Sequence, residues 1–554
     1  MLAGRQAASG ARDGPAPDAE RPEGPLRRRL DGYRLGVAAI TGALAAFFLL
    51  RLHALPSHED ETLAFFVSRQ PLGDLLDTVL GDRGGAPLHY LLGHAALQVY
   101  EGLTSLRLIS AAFAVASMPL VAALVAWLAG RRAALLATLV TAASWVTIYH
   151  GIYARMYSLF LFASALSLLL LLRALERSTA GRWTAWAVAT LALLATQPYG
   201  ALVLAAQAVF VAVLRLRRPL PLRAPLTAFA AVVALAAPLW RTYLVLASRF
   251  EVGLGERASR LGSPGDVLRY LWDVVGDFTA ATPLIALPAA LLFALGVAVL
   301  ARDRPETAIL TGALVVVPTI ALMAARSGGG TALESRHLIF LLPFFAMGLA
   351  VGLLRVAEAT GRAGPAVLAA GLGALLAAQV AWGLDRTPWL YRGEPDERTE
   401  ARAEAAEWLA ATGRGDDVLF GYEPTYLDAW EQGAPFGSTF VPRADAKLAV
   451  RVLESAGPVL GRGVWVLDAS DELDRARVRL EIPERRPGVG FEAQAFGPFL
   501  VVRTEAPTET PERFLAATLA VQELGFELDI GDSGRNALTA REGLRELGFA
   551  VGDG

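Results

Sequence analysis

The sequence predicts a polytopic α-helical membrane protein that carries a soluble α/β domain at its C-terminal end. Of the 554 residues, 54% are hydrophobic and 19% are charged. About eleven apolar stretches approach the length of ~20 residues that a spanning helix needs, and their interiors contain no Asp, Glu, Lys, Arg or His. The residues after 384 are instead rich in Glu, Asp, Arg and Gly, with no stretch long enough to cross a bilayer.

The predicted spans alternate with short loops, and the Arg content of those loops indicates the orientation. The loop that contains Arg131-Arg132 is placed on the inner side. Residues 1–32 then form a disordered cytoplasmic tail, and residues 33–384 form the transmembrane domain. The predicted spans lie at approximately 35–52, 107–129, 133–149, 158–172, 184–197, 199–214, 224–243, 282–300, 307–325, 337–354 and 365–384.

Two segments are predicted to lie on the outer side of the membrane. The first is a loop at 53–106, whose apolar part, 86–100, is too short to span a bilayer and is interpreted as a helix on the outer surface. The second is the α/β domain at 385–554. Its predicted helices and strand-like runs lie at 400–412, 417–422, 463–467, 499–503 and 511–524.

The distribution of ionisable residues favours a membrane enzyme over a transporter. All six histidines and the acidic run Glu59-Asp60-Glu61 fall in or beside loops on the predicted outer side. A proton pump or ion-coupled transporter usually places ionisable groups at mid-membrane depth, where each costs roughly 2.5–3.5 kcal/mol. The formal net charge of −2 gives no sign of a nucleic-acid partner, and the lack of cysteine excludes disulfides and thiolate metal ligands.

The acidic run after the first span allows a structural and a catalytic interpretation. Ser57 three residues before Asp60 resembles a capping box, and acids in the first turn of a helix are favoured by its dipole. Alternatively, one carboxylate acts as a general base toward an acceptor hydroxyl. Consecutive residues on a helix point about 100° apart, so only one of the three acids can face a given pocket.

Two arginines at the edges of predicted spans are candidates for binding an anion. Arg155 lies in the segment Tyr153-Ala154-Arg155-Met156-Tyr157, and Arg336 lies in Glu334-Ser335-Arg336-His337. Tyrosine and arginine also form interfacial belts at headgroup level, and Glu334 could simply pair with Arg336. The forked donors of arginine suit the phosphate of a lipid-linked substrate. A histidine metal site is not favoured, because no pair shows the i, i+4 spacing around a glutamate that zinc hydrolases use.

The order of these motifs resembles glycosyltransferase family 39 of the GT-C fold, which includes protein O-mannosyltransferases and lipid A aminoarabinose transferases. The resemblance covers roughly residues 35–355. It departs from the family at two positions, where Ala86 replaces a usual proline and His337 stands where tyrosine is common. The motifs that carry it are Asp60-Glu61, Asp82, Ala86-Pro87-Leu88-His89-Tyr90, Arg107, Ala154-Arg155-Met156-Tyr157 and Ser335-Arg336-His337 through Pro343.

This resemblance implies transfer of a sugar from a polyprenyl-phosphate donor to an acceptor hydroxyl, with inversion at the anomeric centre. Asp60 is the expected general base, with Glu61 as the second catalytic carboxylate. The expected substrate-binding residues are Glu59, Asp82, His89, Tyr90, Arg155, Tyr157, Arg336 and His337.

The resemblance also implies partners and a location. The acceptor is expected to be a glycan, a glycolipid or a protein of the cell envelope, and the enzyme is expected in the plasma membrane with its site and C-terminal domain extracytoplasmic. No metal-binding residues are assigned, the need for a divalent cation stays open, and no organic cofactor is expected. The alternative function is a polytopic transporter or flippase of lipid-linked sugars.

Overall fold

The computed structural model describes residues 31–249, 263–280, 282–325, 334–392, 397–437, 439–443, 445–474 and 490–551. The predicted cytoplasmic tail therefore lies, up to residue 30, outside the described residues.

The chain is a multi-pass membrane protein with a helical bundle followed by a small sheet domain. Eight helices of the described part are long and apolar enough to cross a membrane, and two bent helix pairs bring that number up to 10. Each predicted span coincides with one of these or with α9, which has 17 residues. The helices of the bundle are α1 Gly32–Arg51, α2 Glu59–Arg69, α3 Leu72–Leu76, α4 Leu88–Leu97, α5 Leu103–Ala129, α6 Arg131–Ala143, α7 Trp145–Ile152, α8 Tyr157–Glu176, α9 Ala180–Thr196, α10 Gly200–Arg217, α11 Arg223–Leu235, α12 Ala237–Arg249, α13 Pro264–Thr279, α14 Pro283–Asp303, α15 Pro305–Ala325, α16 Leu342–Ala359 and α17 Gly364–Arg386.

Helix α16 lies at the centre of the bundle, whereas α1 and α17 lie at its periphery. The span Ser335–Ala359 contains α16 and the 3₁₀ turn before it. In its most apolar stretch 83% of the residues are buried, against 11% in the corresponding stretches of α1 and α17. Gly348 and Gly352 sit one turn apart on α16, and a Cβ at either would collide with α14. Small residues at this spacing let two helices approach closely in a membrane. The close approach packs α16 into the bundle, and Arg336 lies in the 3₁₀ turn that leads into this helix.

The bent pair α6–α7 leads into the turn between α7 and α8 that begins at Tyr153. The two helices are bent by 56° at the break between them. Gly151 near the end of α7 packs on the ring of Phe48 from α1, with no room for a Cβ. This contact holds the start of the turn against the first span.

Short helices occupy the predicted outer loop. They are α2, α3, a π-helical turn at Asp77–Asp82, and α4. Helix α4 has 10 residues, and at 1.5 Å per residue it covers about half of the ~30 Å hydrocarbon core. The apolar segment at 86–100 is therefore too short to cross, in line with the sequence prediction.

The C-terminal domain contains a five-stranded sheet with helices on both faces, which confirms the predicted α/β class. The strand order is β2-β1-β3-β5-β4; β1 is parallel to β2 and β3, while β5 is antiparallel to β3 and β4. The elements of this part are α18 Pro388–Arg392, α19 Glu397–Thr412, β1 Val418–Phe420, α20 Pro424–Glu431, β2 Phe440–Val441, α21 Ala446–Ser455, β3 Gly463–Asp468, β4 Phe491–Phe496, β5 Phe499–Thr504, α22 Pro511–Glu527 and α23 Ser533–Glu546.

One face of this sheet shares a hydrophobic core with α2 of the bundle. Phe65 and Phe66 of α2 are buried in the same cluster as Phe440 of β2, and the rings of Phe66 and Phe440 lie 4.2 Å apart. The backbone N–H of Leu103, at the start of α5, donates to Glu431 of α20 over 2.9 Å. The C-terminal domain is therefore packed directly on the helix that carries the acidic run.

Candidate active site

Asp60 lies in the first turn of α2, at the end of the bundle that the sequence predicts to face outward. His58 caps this helix, with its Nδ1 accepting from the backbone N–H of Asp60 over 3.1 Å. The Asp60 side chain is 28% exposed, whereas Glu61 beside it is fully buried. The three acids of the run therefore point in different directions, and Asp60 is the one that faces the two candidate arginines.

Arg155 and Arg336 converge on the Asp60 carboxylate from opposite parts of the chain. One Nη of Arg155 lies 3.7 Å from Asp60 Oδ1, and one Nη of Arg336 lies 3.7 Å from Asp60 Oδ2. The hydroxyl of Tyr153 donates to Oδ2 over 2.8 Å. Tyr153, Arg155 and Arg336, which lie 93 or more positions after Asp60 in the sequence, thus meet at its carboxylate.

The two guanidinium groups keep donors that the protein does not use. A separation of 3.7 Å is an ion pair but is longer than a hydrogen bond. The Nε atoms of Arg155 and Arg336 are both buried and have no hydrogen-bond partner among the described residues. Buried donors without partners are costly and call for a ligand or water. Arg155 and Arg336 both face Asp60 inside the site, while the other carboxylate that pairs with Arg336, that of Glu334, is 54% exposed. The interior of the site therefore carries more positive than negative charge and can accept an anion.

Tyrosine side chains hold the two arginines. The Tyr90 hydroxyl lies 3.4 Å from an Nη of Arg155, and the Arg336 guanidinium lies over the Tyr157 ring, 5.1 Å from its centroid. The second contact is a cation–π interaction, which keeps the donor edge of the guanidinium free for other partners. Glu334 also pairs with Arg336 over 2.7 Å, but this glutamate is 54% exposed.

The environment of Asp60 lowers its pKa. Burial alone would raise the pKa of this carboxyl, but the charges of Arg155 and Arg336 outweigh the burial, and His58 and the Tyr153 hydroxyl add to their effect. The net pKa lies well below the ordinary value for aspartate. Asp60 is therefore ionised at neutral pH, which a proton acceptor requires, but its basicity is held down while both arginines face it.

The two histidines of the predicted site contact neighbouring groups of the protein: His89 binds a backbone carbonyl, and His337 stacks on a tyrosine ring. His89 is buried and its Nε2 donates to the carbonyl of Ala154 over 3.3 Å. Burial, together with the charge of Arg155, lowers the pKa of His89 to about 3. His337 stacks on the Tyr199 ring at 4.9 Å. Within the described ranges, no group of three or more His, Asp or Glu side chains is arranged to hold a metal ion.

Glu61 forms a buried ion pair with Arg107 instead of facing the arginines of the site. Its two carboxylate oxygens accept from Nε and Nη2 of Arg107 over 3.0 and 2.8 Å, and one of them also accepts from the backbone N–H of Ala154 over 2.8 Å. Arg107 donates in addition to the carbonyls of Leu52 and Leu55. This geometry makes Glu61 a residue that positions the Ala154–Arg155 turn.

The other two predicted acids face the C-terminal domain. Glu59 pairs with Arg443 over 2.5 Å, and Asp82 pairs with Arg451 over 3.1 Å. Arg443 also pairs with the buried Glu423. The structure therefore brings Asp60, Tyr90, His89, Tyr157, His337 and both arginines into one region, while Glu59 and Asp82 contact the sheet domain.

Three contributors were not predicted as site residues. Tyr153 belongs to the tyrosine-rich segment around Arg155, so the motif itself signals it. Arg107 appears in the sequence only as the residue that opens a span, and a charge at that depth signals a buried partner. Arg443 lies in the C-terminal domain, and nothing local in the sequence signals its contact with Glu59.

Similarity to known proteins appears in the structure and not in the sequence. No family model matches the sequence, and no curated protein matches it either. Among solved structures, ArnT from Cupriavidus metallidurans bound to undecaprenyl phosphate is similar with a TM-score of 0.56 at 14% identity, over 85% of this chain and 98% of ArnT. The apo state of ArnT gives the same values.

A second similar structure is the Archaeoglobus fulgidus oligosaccharyltransferase tethered with an acceptor peptide. It has a TM-score of 0.51 at 12% identity, over 80% of this chain and 69% of that protein. Both are membrane glycosyltransferases of the GT-C fold. The chain has the GT-C fold. This confirms the fold that the motif order predicted, and it places the Asp60 cluster on a GT-C bundle.

We expect Glu61→Gln to destabilise the protein, because it leaves the buried charge of Arg107 uncompensated. Breaking a buried ion pair typically costs about 3–5 kcal/mol. Thermal unfolding of the purified protein would show a clear decrease in melting temperature, with loss of activity as a consequence. The matched control is Glu101→Gln, because Glu101 pairs with Arg69 at the surface. An unchanged melting temperature for Glu61→Gln would contradict the positioning role.

Proposed function

We propose that this protein is a membrane glycosyltransferase of the family 39 type, which transfers a sugar from a polyprenyl-phosphate donor to an acceptor hydroxyl on the extracytoplasmic side. The observation that carries the proposal is the cluster of Asp60, Arg155 and Arg336. It combines one ionised carboxylate with two guanidinium groups whose Nε donors are buried and have no hydrogen-bond partner among the described residues. Such a cluster contains the groups that the transfer needs, a base that removes the proton of the acceptor hydroxyl and cations that stabilise the leaving phosphate.

In the proposed step, Asp60 takes the proton from the acceptor hydroxyl. The acceptor oxygen then forms a bond to the anomeric carbon of the sugar as the bond from that carbon to the phosphate oxygen breaks. The electron pair stays on the polyprenyl phosphate, whose added negative charge is held by Arg155 and Arg336. A single displacement inverts the anomeric centre. No acid is needed on the leaving side, because a phosphate leaves without protonation.

The low pKa of Asp60 links donor binding to base strength. Without donor, both arginines lower the pKa of the carboxyl. When a donor phosphate occupies the arginine donors, its negative charge offsets theirs and the pKa of Asp60 rises. The carboxylate becomes a stronger base only after the donor is in place, which favours transfer in the complete complex.

The remaining predicted residues take supporting roles in this proposal. Tyr90 and Tyr157 hold the arginines, and His89 and His337 line the same region, while Glu61 positions the turn before Arg155. Glu59 and Asp82 act through the C-terminal domain. A divalent cation is not required by the proposed step.

The comparisons support the donor class, whereas the proposed location rests on the distribution of positive charge among the loops. The similar ArnT structure contains undecaprenyl phosphate, and a second similar structure carries a tethered acceptor peptide. We extend to this chain a polyprenyl-phosphate sugar as donor, a glycan, glycolipid or protein as acceptor, and a plasma-membrane location with the site outside the cytoplasm. An assay with purified protein in liposomes and a panel of polyprenyl-phosphate sugars tests this. Transfer products support it, whereas movement of intact donor across the bilayer without product would favour the flippase alternative.

We expect Asp60→Asn to abolish transfer while the fold persists. The amide keeps the shape of the carboxyl but cannot accept the proton, and general-base catalysis contributes about 10²–10⁴-fold. Removing the negative charge between two guanidinium groups should leave binding of polyprenyl phosphate intact or tighter, as measured by a lipid-binding assay. Asp74→Asn on exposed α3 serves as the control. Near wild-type turnover in Asp60→Asn would show that another group is the base.

We expect Arg336→Lys to lower turnover although the charge is kept. Lysine cannot reproduce the planar fork or the contact over the Tyr157 ring. The decrease in kcat should be about tenfold or more, approaching the 10²–10³-fold effect of losing one oxyanion donor. Arg355→Lys, at the other end of α16 and exposed, is the matched control. Free exchange of lysine for Arg336 would indicate that this arginine only anchors the interface.

The proposed orientation predicts that both the active site and the C-terminal end lie outside the cytoplasm. A reporter that is active only in the cytoplasm, fused after Gly554, should therefore remain silent, while the same reporter at the N-terminus should be active. The loop bias in positive charge is the physical reason. Strong cytoplasmic signal at Gly554 would invert the topology and contradict the proposed side of the reaction.

A further inference from the structure

The C-terminal domain contains a polar pocket that the proposed transfer step does not use. The pocket has a volume of about 390 Å³, within the ~300–1,000 Å³ typical of small-molecule sites. Its wall is formed by the end of β3, by the first turn of α23 and by residues from α19 and the loop after β2. The polar side chains of the lining include those of Arg398, Arg443, Asp468, Asp532, Ser533 and Asn536.

The position of this pocket in the sheet is one where ligands bind. Strand β1 lies between β2 and β3, and all three are parallel. The chain goes from β1 to one neighbour and then to the other, so the order reverses at β1. Open α/β sheets bind ligands outside the carboxyl ends of their strands at such a switch point. Arg443 follows β2, and Ala469 and Ser470 follow β3, so the pocket lies at these ends.

Several polar atoms in the pocket wall lack partners. Within the described part of the chain, Oγ of Ser533, Oδ1 of Asn536 and Nε of Arg443 are buried without a hydrogen bond. Ser533 is 0% exposed and Asn536 is 4% exposed. Buried polar groups without partners are rare in folded proteins and each requires an explanation. A ligand that carries both donors and acceptors would satisfy this wall.

The charges of the wall are already paired with one another. Arg398 pairs with Asp468, Arg443 with Glu59, and Asp532 with Arg535. A phosphate would meet the two aspartates, and a cation would meet the arginines. The wall therefore suits a neutral ligand with many hydroxyl groups better than an anion or a cation.

Two side chains connect the pocket to the segment that carries the base. Arg443 in the wall reaches Glu59, the residue before Asp60, over 2.5 Å. Arg402, one turn after Arg398 on α19, donates to the carbonyl of Ser57 over 2.9 Å. The Ser57 hydroxyl in turn donates to Asp428 over 2.6 Å. The pocket is thus connected, through Arg443 and through α19, to the short segment 57–60 that contains Asp60.

We propose that this pocket is a subsite for the acceptor, and that it binds a neutral glycan next to the segment that holds Asp60. The inference rests on the proposed transferase function for its role and on the pocket geometry for its ligand. The glycan part of the acceptor sits in the C-terminal domain, and a hydroxyl at its end reaches the base. The acceptor class is then a carbohydrate or a glycolipid, not a bare peptide.

Direct binding tests the pocket without any need for turnover. Full-length protein in lipid nanodiscs, free of sugar-based detergent, is probed with methyl glycosides of mannose, glucose and galactose by saturation-transfer difference NMR. Ser470→Trp places a large side chain at the exposed rim of the pocket. Ser455→Trp, on the exposed end of α21 and outside the pocket, is the matched control.

We expect at least one glycoside to bind the wild-type protein, with Kd raised about tenfold or more in Ser470→Trp, a loss of about 1.4 kcal/mol. The Ser455→Trp variant should bind like the wild type. In the transfer assay, the glycoside that binds should serve as an acceptor or compete with one, and Ser470→Trp should raise its KM or its inhibition constant to the same extent.

Two outcomes overturn the proposal. Either no glycoside binds the wild-type protein, or binding is equal in Ser470→Trp and the wild type. A third outcome separates this proposal from the proposed function: if a glycoside binds the pocket but no polyprenyl-phosphate sugar is consumed, the glycan site stands and its role as an acceptor subsite falls.

Discussion

The buried ion pair between Glu61 and Arg107 is the interaction on which the rest of the site depends. It connects the first turn of α2 to the start of α5, and its two partners also bind backbone groups of Leu52, Leu55 and Ala154. A pair this deeply buried adds little net stability, but it leaves few other arrangements for the groups around it. Asp60 is adjacent to Glu61 in the chain, and Arg155 is adjacent to Ala154, whose backbone N–H Glu61 binds. The distance between Asp60 and Arg155 therefore depends on this ion pair.

The distribution of charge around Asp60 is what would let one small cluster serve both ends of the proposed transfer reaction. The two guanidinium groups lie too far from the carboxylate for hydrogen bonds, and their Nε donors are unused. A tighter triad would neutralise itself and would leave neither a base nor an anion site. The observed spacing keeps the carboxylate ionised and reserves donor capacity for a phosphate, and Tyr90 and Tyr157 hold the arginines without competing for all of their N–H groups.

Sequence patterns predicted most of the bundle, because a bilayer requires long apolar helices and leaves their ends polar. Strands β1, β3 and β5 and helices α19 and α22 were predicted from their periodicity. Strand β2, with two residues, strand β4 and helices α20, α21 and α23 were missed. Motif order predicted that Asp60, Arg155 and Arg336 share one region. It could not separate the roles of Glu59, Asp60 and Glu61, because their directions depend on Arg443, Arg155 and Arg107, which come from distant parts of the chain.

The C-terminal domain contacts segment 57–60 directly and therefore contributes to the position of that segment. Arg443, Arg402 and Asp428 all bind this segment, and the apolar cluster of α2 and β2 holds the two parts together. A change that shifts the sheet domain therefore shifts the residues on both sides of His58. A domain that contacts segment 57–60 and contains a polar pocket is well placed to couple occupation of that pocket to the position of Asp60.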